Sequence, residues 1–393
     1  MPLTKFSFGP TAPVAFGIDR VERLGADVAA VAGTGAPVLI VADPGVAAAG
    51  LVDRVEAVLR KDGLTVEAFT DVRSDPLGNQ IDGAADRARS LGAACIVGLG
   101  GGSALDVAKL AAAIAPADQP AEHYALAQNP LPAQGLKKIC LPTTAGTGSE
   151  TTRTSVFTDG QDRKVWAWGE ALRADLALLD PRLTAGLPPH LTAATGIDAL
   201  VHAIEACTIR RANPLNDAIC LQAIRLIARN LKRAVEAPDD LDARGAVQIA
   251  AAAGGIGIDN SGTGIAHAMG HALGVIGHVH HGRAVGLCLR AALAWNAEAE
   301  PARHAAVAEA LGVPAEGRDI AALAAELAPA YDRFIRSVGL PVSLSRDGLS
   351  AADTQRLAEA TMAPENKPMR DANIRAIAPA DAERIAAEVL TAA

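Results

Sequence analysis

The sequence predicts an α/β domain built on a parallel sheet, followed by an all-helical domain, with the boundary near residue 187. Three observations carry this. Through residues 1–187, short apolar runs of strand type alternate with segments of helical apolar spacing. Through residues 188–393 the segments are alanine-rich and 3.6-periodic, and strand-like runs essentially disappear. The 393 residues are half apolar and a fifth charged, enough for two buried cores and unlike a disordered chain.

Taken in order, PVLIVAD (Pro37–Asp43) reads as a buried strand and Val46–Lys61 as the helix after it. Leu64–Phe69 is a second strand and Ile81–Leu91 a second helix. AACIVGLG (Ala93–Gly100) is a strand that runs through glycines into a helix over Ser103–Ile114. Lys137–Thr144 is a further strand entering a loop. The pattern changes at LPPHLTAATG, Leu187–Gly196. Helices are then predicted over Thr192–Cys207, Asn213–Val235, Leu241–Ile256, Arg283–Glu298, Ile320–Val338 and Ala351–Thr361.

Composition narrows the function. The net charge of −8 and an aromatic content of 3% supply neither a basic footprint nor stacking platforms, which excludes nucleic-acid binding. Apolar runs such as Leu110–Ala117 are too short to span a bilayer, so no membrane role is expected. The opening MPLTKFSFGPTAPVAFG has no apolar core of a secretory signal, and the five cysteines are scattered in apolar contexts without a CxxC pair. A cytoplasmic protein with reduced thiols is the expectation.

IVGLGGGSALDVAK (Ile96–Lys109) is a strand, a glycine run and a helix. Gly100, Gly101 and Gly102 allow backbone to approach a phosphate, and the helix N-terminus offers free N–H groups. Ser103 suits the N-cap, with Asp106 completing an S-x-x-D box. A capped tight turn alone would not need three consecutive glycines. Asp43 ends the first strong strand, where a carboxylate can accept from both ribose hydroxyls and repel a 2′-phosphate, favouring NAD over NADP. Alone, Asp43 before Pro44 would be an ordinary turn-former. Pro142–Thr152 (PTTAGTGSETT) is a loop dense in hydroxyls and glycines.

Asp198 and His202 are four residues apart in TGIDALVHAIEAC, on one face of a helix. An exposed pair at that spacing would contribute only about 0.2–0.5 kcal/mol. The surrounding Ile197, Leu200, Val201 and Ile204 are apolar, however, and charged groups placed there need partners. His267 and His271 repeat the spacing on a second helix in GIAHAMGHALG, and His281 follows a break and can open a third. One aspartate and two or three histidines from separate helices make a site for Zn²⁺ or Fe²⁺, with the choice of histidines left open by spacing.

With these motifs together, the chain resembles the iron-containing (group III) alcohol dehydrogenase family. The matching pieces are GGGSALDVAK at 100–109, PTTAGTGSE at 142–150, TAATGIDALVHAIEAC at 192–207, and GIAHAMGHALG with HHG at 264–282. The resemblance implies a dehydroquinate synthase-like architecture: a Rossmann-like NAD-binding domain over 1–187 and a helical domain over 188–393 that holds metal and substrate. It implies metal ligation by Asp198, His202, His267 and His281, with His271 beside the nicotinamide and substrate as a proton-transfer or positioning group. It places Gly101, Gly102 and Ser103 on the pyrophosphate, Asp43 on the adenosine ribose, and Thr143, Thr144, Thr152 and Lys164 along the cofactor groove, with Gly100 beside them as a cofactor-binding residue by the glycine run itself. The cofactors implied are NAD and Fe²⁺ (or Zn²⁺), the partners a small alcohol or aldehyde and a second copy of the chain.

Three positions depart from the family pattern. HVHHG stands where a proline usually precedes the last ligand, adding His278 and His280; Ile258 replaces a frequent phenylalanine; Asp75 replaces a frequent asparagine. The chemistry expected is oxidation of an alcohol by hydride transfer to the nicotinamide, or the reverse. A dehydroquinate-synthase-like lyase or a maleylacetate-reductase-like enzyme on the same fold is the nearest alternative, and a non-catalytic NAD- or metal-sensing protein a more distant one.

Overall fold

The computed structural model describes residues 5–392. They form two compact units. One comprises Pro10–Thr144 with Gly148–Leu187; the other comprises the residues from Pro188 onward with Ala145–Thr147 and the described residues before Pro10.

In the first unit the strands are β1 (Val14–Phe16), β2 (Val38–Ala42), β3 (Val66–Phe69), β4 (Cys95–Gly100), β5 (Lys137–Pro142), β6 (Thr154–Thr158), β7 (Lys164–Trp168) and β8 (Leu176–Leu179). Six of them form one sheet in the order β1-β8-β5-β4-β2-β3, with every pairing parallel. β6 and β7 form a separate antiparallel hairpin. The helices are α1 (Leu24–Ala32), α2 (Pro44–Ala48), α3 (Leu51–Lys61), α4 (Gly78–Leu91) and α5 (Gly102–Ile114). Strand β2 is buried on both faces, as parallel strands covered by helices are. Val38, Ile40 and Ala42 join one core with residues of α1 and α3, while Leu39 and Val41 join a second with α4 and α5. The chain leaves β2 toward β3 on one side and reaches β4 on the other. That reversal makes a switch point, where a crevice opens at the strands' carboxyl ends.

Two expectations for this unit are corrected. The helix predicted over Val46–Lys61 is two helices, because Gly50 takes φ 75° between them. Ser103 does not cap α5. The N-cap is Gly101, with no side-chain bond, so Ser103 already lies inside the helix. Gly100 sets this register: its φ is 154°, and a Cβ there would lie 2.7 Å from the Ala104 methyl and 3.1 Å from Asp43 Oδ2.

Asp106, freed from capping, faces inward with Lys109, which is fully buried. Lys109 Nζ donates to the Ser149 carbonyl (2.8 Å), to Thr152 Oγ1 (3.2 Å) and to the Thr154 carbonyl, and pairs with Asp106 at 3.2 Å. Asp106 accepts from Ser149 Oγ (2.5 Å) and the Val156 amide (3.0 Å). One turn of α5 thus ties down the end of the hydroxyl-rich loop and the start of β6.

The second unit is helical: α6 (Pro189–Thr208), α7 (Pro214–Glu236), α8 (Leu241–Ser261), α9 (Ile265–Gly277), α10 (His281–Ala299), α11 (Pro301–Leu311), α12 (Ile320–Ala325), α13 (Leu327–Ser337), α14 (Thr354–Thr361), α15 (Lys367–Ala372) and α16 (Pro379–Leu390). The helix predicted over Ile320–Val338 is interrupted before α13. Pro329 in the first turn of α13 has no N–H to bond back across the junction. The segment predicted as one helix from Ala351 opens with a 3₁₀ turn over Ala351–Asp353. α6 is the central element, packed against α7, α8 and α10, and every residue from Thr192 to Thr208 is buried. Such a helix has no solvent face on which to leave a charge.

All five cysteines are free and buried, and burial pushes the thiols of Cys95, Cys140 and Cys220 up to about 12. They are inert core residues. No helix among the described residues is long and apolar enough to cross a membrane.

Glu150, beside Lys109 in the first unit, is fully buried, and desolvation pushes its carboxyl up from 4.5 to about 7. The folded state therefore binds this proton more tightly than the unfolded chain does. The resulting stability is fully present below about 4.5 and is lost as pH rises through about 7. Glu150→Gln should gain stability relative to the parent by roughly 1–3 kcal/mol between pH 5 and pH 8 in urea unfolding. A difference that stays constant across that range would contradict this.

Candidate functional site

The centre of the helical unit is a buried carboxylate with no hydrogen-bond partner on one oxygen. Asp198 is 2% exposed, and its Oδ1 is among the few buried side-chain atoms left without a bond. Three imidazole nitrogens surround that oxygen at nearly equal distances: His202 Nε2 at 3.7 Å, His267 Nε2 at 3.8 Å and His281 Nε2 at 3.6 Å. None of these is a hydrogen bond. Four donors about 2.1 Å from a central ion stand about 3.4 Å apart at the corners of a tetrahedron, and the three distances from Asp198 Oδ1 lie near that value. The ligand atoms of Asp198, His267 and His281 all lie within 4.8 Å of one another. His202 joins them through Asp198 and by stacking on His267, with ring centroids 4.5 Å apart.

Two of the imidazoles, His202 and His267, are prepared as lone-pair donors. Burial lowers the pKa of His202, only partly opposed by Asp198, which keeps the ring neutral. His202 Nδ1 faces the Gly146 carbonyl at 3.3 Å, and His267 Nδ1 faces Glu205 Oε2 at 2.6 Å. An acceptor at Nδ1 places the proton there and leaves Nε2 as the ligand atom. His267 Nε2 is itself buried with no hydrogen-bond partner. The donor set of three imidazoles and one carboxylate suits Fe²⁺ or Zn²⁺.

Three helices supply these groups. Asp198 and His202 lie one turn apart on α6, His267 is in the first turn of α9, and His281 is the first residue of α10. Gly282 allows this last placement: a Cβ there would stand 2.2 Å from the Ala194 carbonyl oxygen and 3.1 Å from Asp198 Cβ. Only glycine lets the start of α10 lie against the backbone of α6. His271, one turn beyond His267, stands beside the cluster, its ring 5.4 Å from that of His281 and 6.3 Å from that of His267. His278 and His280 are exposed and form the connection between α9 and α10, where His278 takes a left-handed φ of 50°.

In the α/β unit, the glycine-loop residues gather at the switch point. Asp43 follows β2 and caps α2, its Oδ1 accepting from the Val46 amide at 3.0 Å, while Oδ2 faces Gly100. Gly101, Gly102 and Ser103 start α5, and Thr143 at the end of β5 bonds through its amide to the Gly100 carbonyl at 2.9 Å. Thr144 lies against Gly101. Thr152 and Lys164 are placed differently. The Thr152 hydroxyl is buried and turned to Lys109, and Lys164 on β7 pairs with Asp75 at 2.7 Å.

Two residues of consequence escaped the motif reading. Glu205 contacts His267 from α6, and Lys109 organises the loop after β5. The signal for both is the one that exposed Asp198: a charged side chain inside an otherwise apolar helical run.

Likeness to known proteins gives the family. A family model described as "Iron-containing alcohol dehydrogenase" matches residues 11–181, and one described as "Fe-containing alcohol dehydrogenase family, C-terminal" matches residues 192–388. Long-chain-alcohol dehydrogenase 1 of Geobacillus thermodenitrificans is 34% identical over 390 residues, covering 96% of each chain. The crystal structure of a 1,3-propanediol oxidoreductase superposes with a TM-score of 0.90 at 31% identity, covering 98% of this chain and 100% of that one. Sulfoacetaldehyde reductase from Bifidobacterium kashiwanohense, solved in complex with NAD⁺, superposes with a TM-score of 0.89 at 26% identity over 99% of each. With the fold, the helical cluster and the sequence match in accord, the chain belongs to the iron-containing alcohol dehydrogenase family and is an oxidoreductase acting on CH–OH groups.

Proposed function

We propose that this protein is an NAD-dependent, divalent-metal-dependent alcohol dehydrogenase interconverting an alcohol and its aldehyde or ketone. The observation that carries the reading is Asp198 Oδ1, buried without a hydrogen bond and ringed by three imidazole nitrogens at 3.6–3.8 Å. Asp198, His202, His267 and His281 would hold the metal, Fe²⁺ by family and Zn²⁺ equally by donor type. When bound, the cation supplies Lewis acidity to an alcohol or carbonyl oxygen, and the nicotinamide takes up or returns the hydride. His271 carries the proton: it stands next to the ligand imidazoles without being one of the four, and an imidazole changes charge near neutral pH.

The α/β domain, 1–187, is the NAD domain in this reading, and the helical domain, 188–393, the metal and substrate domain. The switch-point crevice with Asp43, Gly100, Gly101, Gly102, Ser103, Thr143 and Thr144 supports it, as does likeness to a reductase solved with NAD⁺. Asp43 disfavours a 2′-phosphate. Thr152 and Lys164 would border the cofactor from the side of the β6–β7 hairpin. The substrates named for the similar proteins differ widely, so the substrate is proposed as an alcohol or carbonyl compound by class. A cytoplasmic homodimer or higher homo-oligomer completes the proposal, the buried free cysteines being consistent with a reducing compartment.

Purified protein should contain about one Fe²⁺ or Zn²⁺ per chain and form NADH from NAD⁺ with one or more members of an alcohol panel. Chelation should abolish that activity and re-added cation restore it. Activity that survives complete metal removal would sink the reading, and turnover without net NADH would favour a lyase instead. His271→Ala should lower kcat about 10²–10⁴-fold with the metal content unchanged. If the variant instead loses its metal, His271 is a ligand and not a proton carrier.

A further inference from the structure

Helix α9 carries His267 in its first turn, yet it has no capping side chain of its own, since its N-cap is Gly264. Its first amides are met from elsewhere. Glu205 Oε2 accepts from Gly264 N–H at 2.9 Å, and Glu205 Oε1 accepts from Ala266 N–H at 2.8 Å. Ile265 N–H is directed to Asn373 Oδ1 at 3.4 Å. The same Glu205 Oε2 lies 2.6 Å from His267 Nδ1. Glu205 is 3% exposed and stands seven residues after Asp198, on the face of α6 that also carries His202.

Three N–H groups therefore converge on one buried carboxylate, which has only acceptors to offer. His267 must hold its proton on Nδ1, and Nε2 keeps its lone pair. That Nε2 has no hydrogen-bond partner and lies 3.8 Å from Asp198 Oδ1. His202 has a neutral backbone carbonyl in the equivalent role. A carboxylate thus aligns the His267 imidazole, and the same carboxylate anchors the end of its helix.

We propose that Glu205 is a positioning residue for the metal centre: it sets the His267 tautomer and clamps the first turn of α9, so that Nε2 is a ligand before any cation arrives. This rests on the metal reading above. A glutamine cannot replace it, because an amide offers one acceptor edge and one donor edge. With its NH₂ toward His267 it forces the imidazole proton onto Nε2. With its NH₂ toward Ala266 it leaves two donors facing each other.

The test compares Zn²⁺ and Co²⁺ affinity, by chelator competition, in the parent protein, in Glu205→Gln and in Asn373→Ala. Asn373 clamps the same helix end without touching an imidazole; it exchanges amide bonds with Asn296 at 3.0 and 3.2 Å. Glu205→Gln should lose affinity about 10–100-fold and shift the visible bands of the Co²⁺ form. Asn373→Ala should lower the melting temperature while leaving affinity within about threefold. Equal losses in both variants would reduce Glu205 to a helix cap and overturn the proposal. Should Glu205→Gln not fold, ¹⁵N-histidine spectra of the Zn²⁺-loaded parent decide: His267 must show a protonated Nδ1 and a metal-bound Nε2, and the opposite tautomer rejects the idea. A parent that binds no cation overturns the metal reading together with this one. A parent that binds while Glu205→Gln binds equally well overturns the role of Glu205 alone.

Discussion

The helical unit depends on how it accommodates one oxygen atom. Asp198 Oδ1 sits at the middle of a helix with no solvent-facing side, and nothing among the described residues donates a hydrogen bond to it. A carboxylate buried in that way costs several kcal/mol unless something positive shares the space. The surroundings answer with three imidazole nitrogens, and those of His202 and His267, with acceptors at their Nδ1 atoms, bring lone pairs rather than positive charge. On the proposed metal reading a cation would complete this centre, and its binding would then be thermodynamically linked to folding. The alanine and glycine richness of α6, α9 and α10 serves that centre. Small side chains let three backbones come close enough for their polar groups to meet.

Much of this was legible in the sequence, and the reasons for the gaps are physical. Asp198 and His202 could be placed together because four residues is one helical turn and their neighbours are apolar. His281 was expected to open a helix, and it does. Helical spacing alone could not separate His267 from His271, since both lie on one face of α9. The distinction comes from the packing of α10 against α6 through Gly282, which is long-range. Glu205 was overlooked although its helix was singled out, because its role depends on where the N-terminus of α9 falls in space.

The α/β unit shows the same division between local and distant causes. Alternation of short apolar runs and helical segments predicts parallel strands, and the parallel sheet follows. The strands β1, β6, β7 and β8 went unread. β1 and β8 are three and four residues long, and the hairpin β6–β7 is half-exposed and interrupted by charged turns. The S-x-x-D pattern after the glycines suggested a cap, but three flexible residues leave the register open. The fold spends Asp106 on the loop after β5 instead. A capping motif read from spacing competes with any tertiary acceptor or donor within reach, and here the tertiary one wins.

Asp198 and the three histidines around it are not equally sheltered. Asp198, His202 and His267 have side chains 3–5% exposed, whereas His281 is 28% exposed and begins a helix right after an exposed turn. A cation held on these donors would be sealed on three sides and tethered on the fourth by a ligand that water already reaches. Its residence time would then be governed by fraying at the tip of α10, where the last-formed and first-broken bond is to His281, rather than by breathing of the core. On the metal reading, affinity and lability would be set in different parts of the molecule: the first by the depth of α6, the second by a single turn at the surface.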